Sequence, residues 1–201
     1  MTCRSGRPLE QYIASHVDTG LFRPDLVILS PGPGNPTSFK LSKTIQAMID
    51  RKIPMFGVCL GLQGLVEYFD GSLAILGSPM HGKPSEVTRL YAGSDSGLIR
   101  NDQAASPAAG ANPDTLKYDI LGELPNDFFV ARYHSLYGEL ATFPKDLVIT
   151  CMSNDGVVMG IQHSSMPIAA VQFHPESILT SPKHGLQILR NAMKELRSER
   201  Y

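Results

Sequence analysis

The sequence predicts an α/β domain with an open, mostly parallel or mixed central sheet flanked by helices. Three observations carry this. Leu26-Val27-Ile28-Leu29 is a continuous apolar run, as a strand buried on both faces shows. Leu41, Ile45, Met48 and Ile49 then recur at helical spacing. Residues 52–59 are again mostly apolar, which completes a βαβ unit and implies parallel strands joined by a right-handed crossover.

The first strand stops at Ser30-Pro31-Gly32-Pro33-Gly34-Asn35-Pro36, where three prolines and two glycines forbid helix and ladder alike. Ser38 is the predicted N-cap of the helix that follows. After the second strand comes Gly57-Val58-Cys59-Leu60-Gly61-Leu62-Gln63, and then Leu62, Leu65, Val66 and Phe69 at helical spacing. That order is strand, sharp turn, helix, with a cysteine at the apex. It is the thiol counterpart of the G-x-S-x-G nucleophile elbow. Glycines on either side let the backbone turn without a Cβ clash.

Residues 85–91 and 128–137 read as strands with partly alternating faces. Residues 147–152 and 157–162 flank Ser153-Asn154-Asp155-Gly156, a hairpin signal because Asp-Gly adopts positive φ at little cost. Residues 168–173 form the last apolar strand, ending at His174-Pro175-Glu176. Ser181 and Pro182 open the final helix as N-cap and first position, with a predicted core stripe of Leu186, Leu189, Met193 and Leu196. Residues 93–114 are rich in Ala, Gly, Ser, Asn and Pro and read as a mobile surface insertion in a single domain spanning 1–201.

Composition narrows the function classes. With 201 residues, 42% hydrophobic and 18% charged, the chain suits one globular domain. A net charge of −1 gives no basic field for nucleic acid or an anionic membrane surface. No apolar stretch approaches the ~18 residues of a membrane span. The three cysteines are widely spaced and lack C-x-x-C pairing, so free thiols in a reducing compartment are expected, cytoplasmic or plastid. The six histidines lack metal-ligand spacing, and neither a metal nor another cofactor is expected.

The chemistry centres on Cys59. An elbow thiol is either a nucleophile or a small buried hydrophobe. A nucleophile needs a base and an orienting group. His174 and Glu176, two apart in an extended segment just past a strand, can point the same way; otherwise they form a surface loop with a capping glutamate. The loop at 31–36 is strand-end punctuation or an oxyanion site. Pro31 and Pro33 lack N–H groups, so Gly32 and Gly34 are its available donors. It lacks the lysine and hydroxyl of a phosphate cradle. Fully ionising an ordinary thiol at neutral pH gains about 2 kcal/mol at most, whereas one oxyanion donor contributes roughly 3–4 kcal/mol. The loop and the Leu60 amide should therefore matter at least as much as thiol activation. In Arg132-Tyr133-His134-Ser135-Leu136, His134 reads first as hydrogen-bonded structure and second as an alternative base. Met80-His81-Gly82-Lys83 reads as a turn with an exposed cation.

Taken together, SPGPGNP at 30–36, FGVCLGLQ at 56–63, MHGKPS at 80–85, RYHSL at 132–136 and AAVQFHPESILT at 169–180 resemble the class I (triad) glutamine amidotransferases. Order and spacing match from about Arg23 to the C-terminus. The SPGPG and HGK wording is similar to the chorismate-using branch, and most of all to amidotransferase domains of fused anthranilate synthases. The resemblance implies a flavodoxin-like fold in which Cys59, His174 and Glu176 are the catalytic residues. It implies that Gly32, Pro33, Gly34, Leu60, Gln63, Ser135 and Leu136 hold glutamine, with Gly34 and Leu60 supplying oxyanion amides. It also implies L-glutamine as substrate and a chorismate-aminating synthase, subunit or fused domain, as partner near His81-Gly82-Lys83. The pathway implied is tryptophan synthesis, with folate synthesis through aminodeoxychorismate as the alternative. Family members open with a D-N-x-D-S-F-like strand and a helix, which this sequence lacks before Pro24. Thr2-Cys3-Arg4-Ser5 then stands for the second strand and residues 8–16 for the helix after it. Loss of a central strand would leave two apolar strand edges open, and a damaged, non-catalytic module is the different-class alternative. A cysteine peptidase is a weaker one.

Overall fold

The computed structural model describes residues 13–94, 97–100 and 116–197. Strand β1 (Val27–Leu29) pairs in parallel with β2 (Met55–Val58), Val27 opposite Met55 and Leu29 opposite Gly57. Between them runs helix α1 (Leu41–Asp50), which buries Ile45 and Met48. This is the βαβ unit that the apolar runs predict. Helix α2 (Leu60–Tyr68) leaves the end of β2 through the cysteine elbow and is buried from Leu60 to Val66.

Strand β2 has a second parallel neighbour, β11 (Ile168–Val171). Beyond β11 the sheet is antiparallel, through β10 (Val158–His163), β9 (Leu147–Ser153), β4 (Lys83–Arg89) and β7 (Asp127–Arg132). The order is β1-β2-β11-β10-β9-β4-β7, a mixed sheet whose parallel part carries the elbow. Two small ribbons lie outside it, β3 (Leu73–Ile75) with β8 (Leu136–Gly138), and β5 (Tyr91–Ser94) with β6 (Gly97–Arg100).

Each face of the sheet carries its own core. Met55, Ile168 and Ala170 point to α1 and α2, where Ile45, Met48, Leu62, Leu65 and Val66 fill one layer. Phe56, Val58, Ala169 and Val171 point the other way, to Phe128, Phe173 and helix α3 (Pro182–Leu196). Strand alternation thus sends neighbouring residues of β2 and β11 into opposite layers. No helix among the described residues is long and apolar enough to cross a membrane.

Three expectations need correcting. Ser38 does not cap α1: it lies in a 3-10 turn (Thr37–Phe39), its own N–H is taken by Asn35 Oδ1 at 2.9 Å, and Lys40 is the N-cap. Helix α3 is rotated from its predicted stripe. Leu186 and Met193 are exposed, and Gly185, Ile188, Ala192 and Leu196 face the core. The cause is Gly185, where a Cβ would overlap the Pro175 carbonyl oxygen, so only a glycine lets the helix approach that closely. The run 128–137 is two strands, β7 and β8, in different sheets, parted at Tyr133-His134-Ser135. Residues 93, 94 and 97–100 of the expected insertion belong to the β5–β6 ribbon, while 101–115 lie outside the described residues. At the other end of the sheet, β2 pairs directly with both β1 and β11. Among the described residues β1 ends the sheet, with Ile28 50% exposed. Residues 13–17 form one π-helical turn (Ile13–Val17); the rest of the expected N-terminal strand and helix lies outside the described residues.

Candidate active site

Cys59 sits at φ 52°, ψ −97°, between the end of β2 and the first turn of α2. A side chain at positive φ is strained by roughly 1–3 kcal/mol, and its surroundings must enforce it. They do so from both sides. Its N–H donates to the Val171 carbonyl at 2.8 Å, and its carbonyl accepts from Gln63 N at 3.1 Å. Gly57 and Gly61 permit the packing. A Cβ on Gly61 would collide with the backbone oxygen of Leu29, and one on Gly57 would lie 2.9 Å from Ala170 Cβ. The elbow glycines therefore serve close approach of strand and helix as much as turning.

His174 follows β11 in a segment tied to β7. Its N–H donates to Ala131 O at 3.0 Å, and Thr180 Oγ1 donates to His174 O at 2.6 Å. Ala131 N closes the clamp on Thr180 Oγ1 at 3.0 Å. The imidazole Nδ1 is 2.7 Å from Glu176 Oε1. The other nitrogen, Nε2, is buried, lacks a hydrogen-bond partner of normal geometry, and faces the Cys59 thiol. Burial alone would disfavour a charged ring. The hydrogen-bonding and charge of Cys59 and Glu176 outweigh it and raise His174 to about 9. Burial likewise acts to raise Glu176, but the His174 hydrogen bond overrides it and holds the carboxyl below its ordinary value. A ring that stays protonated at neutral pH, between a carboxylate and a thiol, is chemically able to hold and return a proton beside the sulfur.

A second polar network adjoins the first. Arg132, 1% exposed, donates from Nη1 to both carboxylate oxygens of Asp155 at 2.9 and 3.0 Å. Its Nε donates to His134 Nε2 at 3.1 Å. Nε2 is therefore the acceptor nitrogen, and Nδ1 carries the proton that goes to Leu136 O at 2.9 Å. Burial first, and Arg132 second, push His134 down to about 4. With both nitrogens occupied and the ring neutral, His134 is structure and not a second base.

Gln63, on α2, donates from Nε2 to the same Leu136 carbonyl at 2.9 Å. Leu60 is the first residue of α2, and its side chain lies 3.2 Å from where a Cβ on Gly32 would sit. The glycine loop thus abuts the start of the elbow helix. Gly34 takes φ +91° on that exposed loop, beside Phe39, with Pro33 exposed next to it. The Ser135 carbonyl accepts from Leu76 N at 2.8 Å. The structure thus joins Cys59, His174 and Glu176 in one line and Gln63 with Leu136 in another. Gly34, Pro33 and Ser135 make no hydrogen bond to either line.

Three neighbours escape a reading of the sequence. Gln172 is fully buried and donates to Cys59 Sγ at 3.5 Å; its one signal is a polar residue inside the apolar run 168–173. Tyr133 packs edge-on to the His174 ring, centroids 5.0 Å apart, and bonds Ser177 Oγ at 3.2 Å. Thr180 clamps the His174 backbone, a role no spacing announces. Gly82, at φ +62°, makes the predicted turn and lies against Tyr133.

These shifts set a pH dependence of opposite sign at the two histidines. His134 is held neutral, so the unfolded chain binds more protons between its ordinary 6.5 and about 4. Stability is therefore lost as pH falls across that window, by roughly 3 kcal/mol from this group. His174, raised to about 9, contributes stability that is fully present below pH 6.5 and is lost only as pH rises through 9. Denaturant midpoints at pH 7 and pH 4.5 should differ less in His134→Gln than in the unaltered protein. Equal acid loss in both would contradict the buried neutral ring.

Comparison with known proteins identifies the family. The family model of glutamine amidotransferase class-I matches residues 7–196. The chain is 43% identical over 175 residues to "Anthranilate synthase" of Azospirillum brasilense, a match covering 87% of this chain but 20% of that protein. The chain thus spans about a fifth of that relative's length. It is 34% identical over 176 residues to "Aminodeoxychorismate/anthranilate synthase component 2" of Bacillus subtilis, covering 88% of this chain and 76% of that one. A solved structure described as a putative GMP synthase protein from Thermoplasma acidophilum superposes with a TM-score of 0.66 at 23% identity. That match covers 89% of this chain and 75% of the other, and supports the fold. By its sequence, its fold and its cysteine elbow, the chain belongs to the class-I glutamine amidotransferase family.

Proposed function

We propose that this chain is the glutaminase component of an anthranilate synthase, releasing ammonia for a chorismate-aminating subunit or fused domain in tryptophan biosynthesis. The observation that carries the reading is the line Glu176–His174–Cys59, with a proton-holding imidazole facing an elbow thiol. Cys59 Sγ, its proton already held on His174 Nε2, attacks the side-chain amide carbon of glutamine. The oxyanion that forms is met by the amides of Leu60, at the start of α2, and Gly34. The C–N bond then breaks, His174 returns the proton to the nitrogen, and ammonia leaves a glutamyl thioester. Water, losing a proton to His174, attacks that thioester; the C–S bond breaks, glutamate departs and the thiol is restored. Glu176 orients the ring throughout. Gln63 and Leu136 line the side that would hold glutamine, with Ser135, Gly32 and Pro33 beside them.

Partner docking is supported by apolar side chains around the site. Tyr133, Ile178 and Leu179 are 42%, 88% and 45% exposed, close to the Tyr133–Ser177 bond and the Gly82 turn. The Bacillus subtilis relative is named for both aminodeoxychorismate and anthranilate synthesis, which favours the folate pathway as the second reading. The test is to mix the chain with glutamine, chorismate and each type of synthase partner. Glutamate released together with anthranilate is the expected result. Aminodeoxychorismate alone would move the assignment to folate, and no glutamate with any partner would leave only a non-catalytic module.

A further inference from the structure

The Cys59 thiol has a second polar neighbour besides His174. Gln172 is 0% exposed and Gln63 3% exposed, and neither side chain is in water's reach. Buried amides are positioned by hydrogen bonds, and their two ends are set by what they meet. Here the ends are fixed by a chain that starts on a group unable to lose its protons. Arg132 Nε donates to His134 Nε2, so His134 Nδ1 donates to Leu136 O. That carbonyl can only accept, so the end of Gln63 facing it at 2.9 Å must be its nitrogen. The second hydrogen of Gln63 Nε2 goes to Gln172 Oε1 at 3.3 Å. The remaining end of Gln172 is therefore Nε2, and it points an N–H at Cys59 Sγ from 3.5 Å. The backbone of Gln172 is pinned as well, its N–H donating to Met159 O at 2.9 Å.

We infer that Gln172 is a further catalytic residue, whose side-chain N–H hydrogen-bonds the attacking sulfur of Cys59 and stabilises it once its proton has moved to His174. The inference rests on the glutaminase reading for its meaning but not for its test. An N–H···S contact of this length is weak to a neutral thiol and strengthens as negative charge builds on the sulfur. His174 is the titratable group facing that sulfur, with Glu176 behind it. Gln172 thus works on the sulfur while His174 works on the proton. The same amide ties the nucleophile to Gln63 and Leu136, so that wall and the thiol share one polarised chain.

Alkylation of Cys59 by iodoacetamide reads the charge on the sulfur without glutamine, partner or turnover. In Gln172→Met, shown folded by circular dichroism, the rate at pH 7 is expected to fall about 10-fold and its pH profile to move upward. Gln172→Glu keeps an acceptor for Gln63 but turns an oxygen towards the sulfur, and should slow alkylation further. With glutamine as substrate, Gln172→Met should lower kcat by a similar factor and leave KM within about twofold, a split that a merely structural role would not give. A third reading uses the unaltered chain labelled with ¹⁵N-glutamine, in which buried side-chain amide signals should move on alkylating Cys59. Wild-type alkylation profiles in either folded variant, or amide signals that stay in place, would overturn the inference. A chain that releases no glutamate yet shows the shifted profile keeps the contact and loses the glutaminase reading.

Discussion

Replacing Cys59 by serine is expected to lower glutamine-dependent synthesis by at least about 10⁴-fold, with ammonia-dependent synthesis by the partner unchanged. Serine has nearly the same shape, and Cys59 is held by backbone bonds to Val171 and Gln63 that the substitution leaves alone. The elbow should therefore persist and the fold with it. What goes is the sulfur: a hydroxyl does not give up its proton to His174 as a thiol does, and its hydrogen bond no longer helps raise the ring to about 9. The His174 titration, followed by NMR, should accordingly fall in the variant. Equal loss of both synthetic activities would mean that Cys59 serves the fold alone.

Arg132→Ala is expected to destabilise the protein by about 3 kcal/mol, read from denaturant midpoints. The Arg132 side chain is 1% exposed, so its removal leaves a cavity and deprives His134 Nε2 of its donor. Its partner Asp155 is 44% exposed and can regain water, so the loss lies at the low end for a broken buried pair. For the same reason Asp155→Asn should cost clearly less, about 1 kcal/mol. Ser153, which also bonds Asp155, keeps the hairpin turn in place in either variant. If both variants cost under about 0.5 kcal/mol, as ordinary surface changes do, the guanidinium is not the anchor between β7 and the β9–β10 hairpin.

The fold was legible where local chemistry leaves one choice. Asp155-Gly156 fixed the β9–β10 hairpin, and Gly156 takes the positive φ that Asp-Gly predicts. Proline and glycine after β1 marked its end, and the elbow announced itself by spacing. What escaped depends on contacts across the sheet. The stripe of α3 turns on Gly185 against Pro175, and a glycine counts for nothing in a hydrophobic pattern. Asn35, and not Ser38, bonds the turn before α1 because the chain inserts a 3-10 turn that periodicity does not register. The pairing of β4 with β9, about sixty residues apart, has no local signal at all. The site divides the same way. Cys59, His174 and Glu176 were readable from their settings at strand ends. Gln172 and the Arg132–Asp155 pair look like ordinary polar residues until the sheet brings them beside Cys59 and His134.

The central claim is that Cys59 carries the glutamyl group between two half-reactions. The most direct measurement is to quench the protein in acid during turnover of glutamine with its partner and to analyse its peptides by mass spectrometry. A glutamyl adduct on the peptide containing Cys59, labile to hydroxylamine and missing in Cys59→Ser, is the predicted result. Glutamate released at full rate with no such adduct, or with one on another residue, would contradict it.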